Sequence, residues 1–424
     1  MSRRTRVHAA TFAATVTIAV GALSHHAYGA GLSRPNVVGA RAIGMGGAYT
    51  AVADDPTAVW YNPSGTAVYG DNVGYVGGEL IFTHRSYTPD AQSTLGQAGV
   101  TNKISENTAP TFIPVLGFTT RFGLGKNAPT RFAFSIATYD AYGGSISFSP
   151  SSVTSAGKVI GITSSKVLSY EVAPTLAYQV SERLSLGASL RIGIDTFSVN
   201  DTETAFAANL SGTGVGVGAT LGAMVKLHRM VQVGLVYRTP MSVAISGTSP
   251  VSIGSAAPTQ QDFGVHIHWP QSAGAGVAVT PHSRIMVSAQ ADWTGWSSLQ
   301  KLDLTVAGIA VPKELRYMDS YAVHIGAQGI ITRWLLLRIG YTYDSNAIPD
   351  RDVRRENEDA VKQTIAAGFG LHFWKIFIDG AFESFLPLAA RVVSTPIPAA
   401  APENETGRYS ATVYSAELSA QIRF

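Results

Sequence analysis

Three arginines stand on the polar side of segments that alternate between apolar and polar residues. They are Arg191, Arg238 and Arg338. A guanidinium group offers paired donors that match a carboxylate, so these side chains are candidate ligand-binding groups for an anionic ligand. The alternative is structural, because interior arginines commonly pair with acids. The candidate acids in the same kind of segment are Asp195, Asp292, Asp344, Glu383 and Glu417.

Catalytic and metal-binding chemistry find little support in the sequence. His266 and His268 share one strand face, but two histidines without a third ligand favour an interior lining over a zinc site. No Ser/His/acid constellation is visible, although a membrane hydrolase could assemble one in space. The glycine-rich stretch 212–222 lacks the lysine of a phosphate-binding loop. We predict no enzyme activity, no catalytic or metal-binding residues and no cofactor.

The segments that position these residues alternate strictly between apolar and polar side chains. The clearest are 184–194, 231–238, 335–344 and 414–424. A period of two residues indicates extended strands with one apolar face. Alternation alone does not tell which face meets water, since a soluble β-sandwich shows the same pattern with its apolar face inward.

The spacing of turns favours a membrane barrel over a sandwich. Six short turns join twelve strands, and one strand before and one after make fourteen; the turns lie at 126–129, 181–182, 228–229, 281–283, 332–333 and 374–375. Longer polar or glycine-rich stretches separate them, at 84–110, 145–165, 198–212, 246–262, 305–318, 344–360 and 386–408. Short turns at one end and long loops at the other are typical of outer-membrane barrels.

The predicted fold is therefore all-β, a 14-stranded antiparallel transmembrane β-barrel over residues 71–424. A closed barrel is the only sheet without an unpaired edge in lipid, so we expect the apolar face outward and the polar face toward the lumen. Aromatic residues near strand ends fit the two membrane interfaces; they are Tyr237, Trp293, Trp296, Trp334, Tyr341, Tyr343, Phe373 and Trp374. A terminal Phe424 closes the last alternating strand.

Composition agrees with a barrel and excludes other classes. Only 14% of the 424 residues are charged, against about 25% in soluble proteins. The 43 glycines, 17 tyrosines and 17 phenylalanines suit strands and turns. A net charge of +3 is too small to hold nucleic acid, and the absence of cysteine is compatible with an oxidising compartment.

The first 29 residues have the pattern of an export signal. Three arginines within 3–6 form a basic start, an apolar core spans 12–23, and 27–29 is a cleavage motif with small residues at its first and third positions. The core is about 12 residues long, whereas a membrane-spanning helix needs roughly 20. We predict a signal peptide over 1–29 that is removed on export, by general secretion rather than by the twin-arginine route, since a membrane barrel must travel unfolded.

Residues 30–70 do not alternate and precede the first strand. Asp54 to Pro56 start a short helix over 58–61, and Pro63 stops it. Inside a barrel this compact element would be a plug. We therefore predict an N-terminal hatch over 30–70 within the lumen.

Several motifs resemble the long-chain fatty acid outer-membrane transporters, the FadL/TodX family. They are the stretches 39–51, 53–55 and 62–65 near the N-terminus, and 291–297, 340–344 and 348–350 further along. The resemblance covers nearly all of the chain after the signal peptide, and it implies fourteen strands and an N-terminal hatch. The family's hatch carries Asn-Pro-Ala, whereas this chain has Asn62, Pro63 and Ser64, which the resemblance marks as hatch or gating residues.

The resemblance also implies how cargo moves. Family members take a hydrophobic ligand from outside and release it sideways through an opening at an inward kink of the third strand. That strand should begin near Arg131 and run past Asp140, and Gly143 and Gly144 could permit the bend. The alternative is that the strand simply ends there.

The predicted function is passive uptake of long-chain fatty acids or other hydrophobic compounds across the bacterial outer membrane. The expected partners are a hydrophobic small-molecule ligand, outer-membrane lipid and lipopolysaccharide, and the chain is expected to be a monomer. Two alternatives remain open at this point. One is a general diffusion porin for polar solutes, and the other is an outer-membrane scaffold that assembles secretion partners.

Overall fold

A computed structural model describes twelve ranges of the chain. These are 38–68, 71–124, 129–149, 154–155, 158–159, 162–202, 206–253, 257–310, 312–357, 359–386, 391–393 and 405–424. The predicted signal peptide and the first part of the predicted hatch lie outside the described residues. Within these ranges, no helix has the length and apolar character needed to cross a membrane.

Fourteen antiparallel strands, named β1 to β14 in chain order, form a closed ring. Their bounds are Val73–Pro89, Thr111–Phe122, Phe132–Ser147, Ile162–Gln179, Leu184–Thr202, Phe206–His228, Val231–Arg238 with Met241–Ile253 (β7), Thr259–Trp269 with Ser272–His282 (β8), Ile285–Thr294 with Lys301–Val306 (β9), Ser320–Ile330, Leu335–Asp344, Lys362–Phe373, Ile376–Phe385 and Gly407–Arg423. The predicted strand number is confirmed.

Short helices, 3₁₀ turns and short strands accompany the fourteen strands. Within the described ranges, three short helices, α1 to α3, span Ala40–Gly44, Ala58–Tyr61 and Thr94–Gln97. Turns of 3₁₀ helix span Pro63–Ala67, Trp296–Ser298, Asp350–Asp352 and Arg355–Asn357. Two- and three-residue strands lie at Ile104–Ser105, Thr154–Ser155, Lys158–Val159, Ile309–Ala310, Lys313–Glu314 and Arg391–Val393.

The ring closes by pairing the first strand with the last. β1 and β14 pair from Val73 with Arg423 to Pro89 with Gly407. Five of the six predicted short turns join neighbouring strands, while most of the sixth, at 126–129, lies outside the described residues. Several predicted loops are too long, because β1 runs to Pro89, β5 to Thr202 and β7 to Ile253. The strands therefore continue beyond the belt of apolar exterior residues.

The apolar face of the alternating segments points outward in this belt, as predicted. In β5, Leu190 is 50% exposed, whereas its neighbour Arg191 is fully buried. In β14, Leu418 is exposed and Glu417 is buried. A sheet with an apolar exterior and a polar interior is suited to the hydrocarbon core of a membrane, since lipid tails offer no hydrogen-bond partners for polar groups.

The orientation reverses above this belt in β7 and β8. In the lower part of β7, Leu235 is exposed, but beyond Pro240 the exposed residue is Ala244 and the buried one is Ile245. The register against β6 gains one residue between Arg238 and Val243, which is a bulge that turns the strand over. The upper wall is thus polar outside and apolar inside, like a water-soluble sheet.

Two predictions about side-chain position are wrong. His266 and His268, expected to line the lumen, are exposed on the outside of the upper part of β8. Trp296, expected at the membrane interface, is completely buried. The first error arises because strict alternation was extended through a region in which the faces exchange. The second arises because Trp296 lies in a 3₁₀ turn that interrupts β9.

The N-terminal segment 38–68 lies inside the ring and is almost entirely buried. The predicted helix is present as α2, and Pro63 opens the following 3₁₀ turn, in which Asn62 caps the amide of Ser64. Burial raises the pKa of the Asp55 carboxyl, and the neighbouring guanidinium of Arg41 opposes this shift. The hydroxyl of Tyr49 donates to Asp55 at 2.8 Å.

Candidate functional site

The third strand, β3, leaves the wall and bends into the lumen. Seven consecutive residues, 137–143, are buried, although a strand in a barrel wall should bury only every second residue. The register against β4 shifts between Asp140 and Tyr142, and Gly143 has a φ of 151°. The strand nevertheless continues to Ser147, so the alternative that it ends at the glycines is wrong.

The backbone pairing between β2 and β3 is interrupted beside this bend. β3 pairs with β2 only from Phe132 to Ala137. The upper part of β2, 111–116, pairs with β1 on its other side and makes no described strand pairing toward β3. Pro114 lies in this stretch, and proline is tolerated at such an edge because it has no amide to pair. The wall is therefore interrupted between β2 and β3.

Tyr170 of β4 covers the interruption. Its hydroxyl donates to the carbonyl of Pro114 at 3.1 Å and lies 2.9 Å from the Oγ1 atom of Thr138. The amide of Leu116 donates to the same Thr138 oxygen at 3.1 Å. Side-chain bonds thus replace the missing backbone ladder, and such bonds can open without unfolding a strand.

An aromatic cluster fills the space behind the bend. Tyr142 stacks on Trp269 of β8 at 4.8 Å between ring centroids, and its ring meets Trp296 edge-on at 6.0 Å. Trp60 of the N-terminal segment packs edge-on against Tyr139 at 5.2 Å. The cluster therefore joins the bent strand to both the upper wall and the inner segment.

Apolar side chains continue from this cluster to the outer end of the barrel. They belong to one connected set of buried residues, which includes Phe197, Leu210, Met241, Val243, Ile245, Val251, Phe263, Val265, Ile267, Tyr317, Ile348 and Val353. The upper interior of the barrel is thus apolar, in contrast with the polar lumen below it. A solute that avoids water would find matching surfaces along this path.

A polar cavity lies beneath the aromatic cluster. Its free space is about 60 Å³, room for a few water molecules. It is lined by Trp60 and Tyr142 together with Arg238, Asp292 and His324. Since ligand pockets for drug-sized molecules are roughly 300–1,000 Å³, this cavity is too small to hold such a compound.

The three predicted ligand-binding arginines have different surroundings. Arg191 forms a fully buried pair with Glu171, at 2.5 Å, and Arg338 pairs with Asp379 at 2.7 Å. These two acids were missed because strand register, which decides cross-strand partners, is not written in one strand's sequence.

Arg238 is arranged differently and faces the polar cavity. It lies over the ring of Trp60 at 4.0 Å, and it donates to the carbonyl oxygen of that residue. Its Nε atom has no hydrogen-bond partner, and within the described residues Arg238 forms no ion pair. Of the three arginines, it is thus the one that lines this cavity and has no carboxylate partner among the described residues. Arg338 also has a nitrogen, Nη2, without a hydrogen bond, but it pairs with Asp379.

The N-terminal segment is seated against glycines of the wall. A side chain at Gly340 would lie 2.0 Å from the backbone nitrogen of Gly46, and one at Gly222 would lie 2.2 Å from Asn62. Wall glycines in contact with the segment come from strands all around the ring; they are Gly117, Gly187, Gly222, Gly234, Gly276, Gly326, Gly340 and Gly368. The lumen is thus shaped around this segment.

Polar contacts hold the segment on several sides of the ring. The predicted gating residue Asn62 donates to the carbonyls of Thr50 and of Ala223 in β6, and its Oδ1 accepts from the Ser64 hydroxyl at 2.7 Å. On the opposite side, the carbonyl of Gly46 lies 2.8 Å from His324 Nδ1. Ser64, where the family motif has alanine, thus gains a bond within the turn.

These observations define a closed transmembrane barrel with an occupied lumen and an interrupted wall, as in outer-membrane transport proteins. A family model described as outer membrane protein transport protein (OMPP1/FadL/TodX) matches residues 18–424, and the chain belongs to this family. The predicted resemblance and the outer-membrane location are thereby confirmed. No curated protein sequence matches the chain.

Solved structures show the same fold at low sequence identity. A FadL homologue of Pseudomonas aeruginosa is 16% identical, with a TM-score of 0.79 over 93% of this chain and 100% of that one. The toluene transporter TbuX of Ralstonia pickettii is 18% identical, with a TM-score of 0.72 over 92% and 99%. The toluene transporter TodX of Pseudomonas putida is 17% identical, with a TM-score of 0.72 over 95% and 99%.

Proposed function

We propose that this chain moves long-chain fatty acids or other hydrophobic compounds passively from outside the cell into the outer membrane. The observation that carries the proposal is the continuity between the apolar upper interior, the aromatic cluster and the interruption of the wall beside β3. Two similar structures are described as toluene transporters, which agrees with a hydrophobic cargo. Such a solute cannot dissolve through the charged saccharide layer outside the bilayer, so it needs an apolar path.

Release is proposed to be lateral. The bend of β3 brings Tyr139 and Tyr142 into the lumen and opens the ladder beside 111–116. Cargo that reaches this bend passes under Tyr170 and enters the hydrocarbon directly, without meeting the periplasm. The exterior around the gap carries exposed apolar side chains such as Phe112 and Leu176, so the departing solute stays in an apolar environment.

The N-terminal segment is proposed to be the hatch that keeps the pore closed. Asn62, Pro63 and Ser64 form its contact with β5 and β6, since glycines 187 and 222 of these strands lie against them. Movement of this turn would enlarge the small polar cavity that Trp60 caps. The hatch would extend over 30–70 after removal of the signal peptide 1–29, and the barrel would act as a monomer.

An uptake assay tests the proposed function. Cells that lack their own hydrophobic-compound channels, but express this protein, are expected to take up labelled oleate or toluene faster than cells with an empty vector. Replacement of the inward Ile245 by Asp should lower this uptake at least about tenfold, because cargo would have to desolvate a carboxylate. The matched control Ala244→Asp places the same charge on the exposed outer side and should leave uptake unchanged.

Two other results would contradict the proposal. Rapid swelling of liposomes in small sugars would favour the general diffusion porin. Stable co-purification with a secreted partner, without any uptake of hydrophobic probes, would favour the scaffold. Equal uptake by Ile245→Asp and wild type would also count against the apolar path.

Arg238 is proposed as the anchor for cargo that carries a carboxylate. Arg238→Gln should weaken oleate binding about tenfold, because charge-assisted hydrogen bonds contribute about 1.5–3 kcal/mol, while toluene uptake should stay unchanged. Isothermal titration of the purified protein measures the first effect, and the uptake assay measures the second. Arg191→Gln and Arg338→Gln are expected instead to lower barrel stability, since each leaves a buried acid without its partner. Unchanged oleate binding by a folded Arg238→Gln barrel would end the anchoring hypothesis.

A further inference from the structure

The short-turn end of the barrel carries a ring of exposed cations. Each of the six turns or its flanking residues contributes at least one; the residues are Arg131, Arg183, Lys226, Arg229, Arg284, Arg333 and Lys375. The exposed acids at this end of the described chain are Asp71 and Glu182. None of the seven cations forms an ion pair with another described residue. The ring is therefore a strongly positive, unneutralised surface.

The long-loop end differs in its charge pattern. There, exposed acids such as Asp262 and Glu314 are interspersed with exposed cations such as Lys103 and Lys301. Lys301 also pairs with Asp303 at 2.9 Å. The excess of positive charge is thus a property of one end and not of the whole exterior.

Apolar and aromatic side chains accompany the ring. Leu227, Ile331 and Trp334 are exposed beside its cations, and Trp374 is 90% exposed with Lys375 over its ring. Aromatic rings beside cations are the pattern of the membrane interface, where rings lie at headgroup level and cations meet phosphates. In an outer-membrane barrel the short turns face the periplasm. The ring therefore lies at the headgroups of the periplasmic leaflet.

We infer that this ring binds acidic phospholipids, of the phosphatidylglycerol or cardiolipin type, in the periplasmic leaflet. The distribution of the cations distinguishes this partner from a protein. A docked protein would contact one sector of the rim, whereas the seven cations occupy turns around the whole circumference. Only a leaflet surrounds the barrel on all sides. The electrostatic attractions of clustered cations to anionic headgroups add up, so such a ring binds anionic lipids in preference to zwitterionic lipids.

A lipid-retention experiment tests the inference. Full-length processed protein is reconstituted in nanodiscs that contain phosphatidylcholine and phosphatidylglycerol, and the lipids retained after repurification are counted by mass spectrometry. Wild type should enrich phosphatidylglycerol at least about threefold over its bulk fraction. In a variant that combines Arg183→Gln, Arg229→Gln, Arg284→Gln and Arg333→Gln, the retained phosphatidylglycerol should fall to its bulk fraction.

The matched control removes four exposed cations from the other end. The control variant combines Lys103→Gln, Lys301→Gln, Arg351→Gln and Arg408→Gln. Its phosphatidylglycerol enrichment should equal that of wild type, although its net charge falls by the same amount as in the first variant. Equal retention of both lipids by wild type, or equal loss in both variants, would overturn the inference. So would displacement of phosphatidylglycerol by millimolar inorganic phosphate, or capture of an acidic periplasmic protein by a rim with no lipid preference. Heat-modifiable migration on gels establishes that each variant is a folded barrel.

Discussion

Deletion of residues 38–68 is expected to turn a silent barrel into a conducting pore. The segment occupies the lumen and touches strands around the ring, and the wall behind it is lined by polar side chains such as Ser189 and Thr220. Barrels of 16–18 strands enclose aqueous channels, so an emptied 14-stranded barrel should raise single-channel conductance at least about tenfold. Planar bilayer recording measures this directly.

A point variant tests the same hatch while the segment remains in place. Gly340→Val places a side chain where the backbone of Gly46 lies, so the segment must shift and the conductance should rise. Gly329→Val is the matched control, because the nearest atom there is a side-chain carbon at 3.8 Å. Conductance that stays at the wild-type value in both the deletion and Gly340→Val, in folded barrels, would show that the segment does not close the pore.

Gly143→Ala is expected to stop lateral release while the barrel stays folded. A methyl group at this position would lie 2.5 Å from the carbonyl oxygen of Val167, and the φ of 151° is one that side chains rarely adopt. Strain of this kind costs about 1–3 kcal/mol, so the bend of β3 should flatten and close the gap. Uptake of labelled oleate should fall about tenfold, since 1.4 kcal/mol corresponds to one order of magnitude.

Gly144→Ala is the matched control for this variant. Gly144 is not among the described glycines with positive φ, so a methyl group there meets no conformational barrier of that kind. Uptake by Gly144→Ala should equal that of wild type. A folded Gly143→Ala barrel with normal uptake would mean that the bend is not part of the route.

Much of the fold follows from local pattern. Alternation in 184–194 predicts that Leu190 faces lipid and Arg191 faces the lumen, because a strand in the membrane must sort its side chains by period two. The number of strands follows from the number of short turns, because each short turn joins two neighbouring strands. The reversal at Pro240 was not foreseen, because one extra residue in a bulge exchanges the two faces and alternation beyond it looks the same.

The site was only partly predictable. Gly143 suggests a bend in the third strand, but the gap itself depends on which residues of β2 lose their partner. Pro114 is a signal that could have indicated it, since a proline inside a strand indicates an edge. The aromatic cluster joins residues far apart in sequence, such as Trp60 and Tyr139. Neither periodicity nor spacing connects them.

Photolabelling in intact cells shows where the cargo leaves the barrel. A fatty acid with a diazirine at its tail is added from outside to cells that express the protein, and labelled peptides are mapped by mass spectrometry after brief illumination. Lateral release predicts labels on 111–116, at the edge of the gap, and on Tyr170, which covers it. Labels at the periplasmic turns near Arg183 and Arg229, with none beside the gap, would show that cargo leaves along the barrel axis and would contradict lateral release.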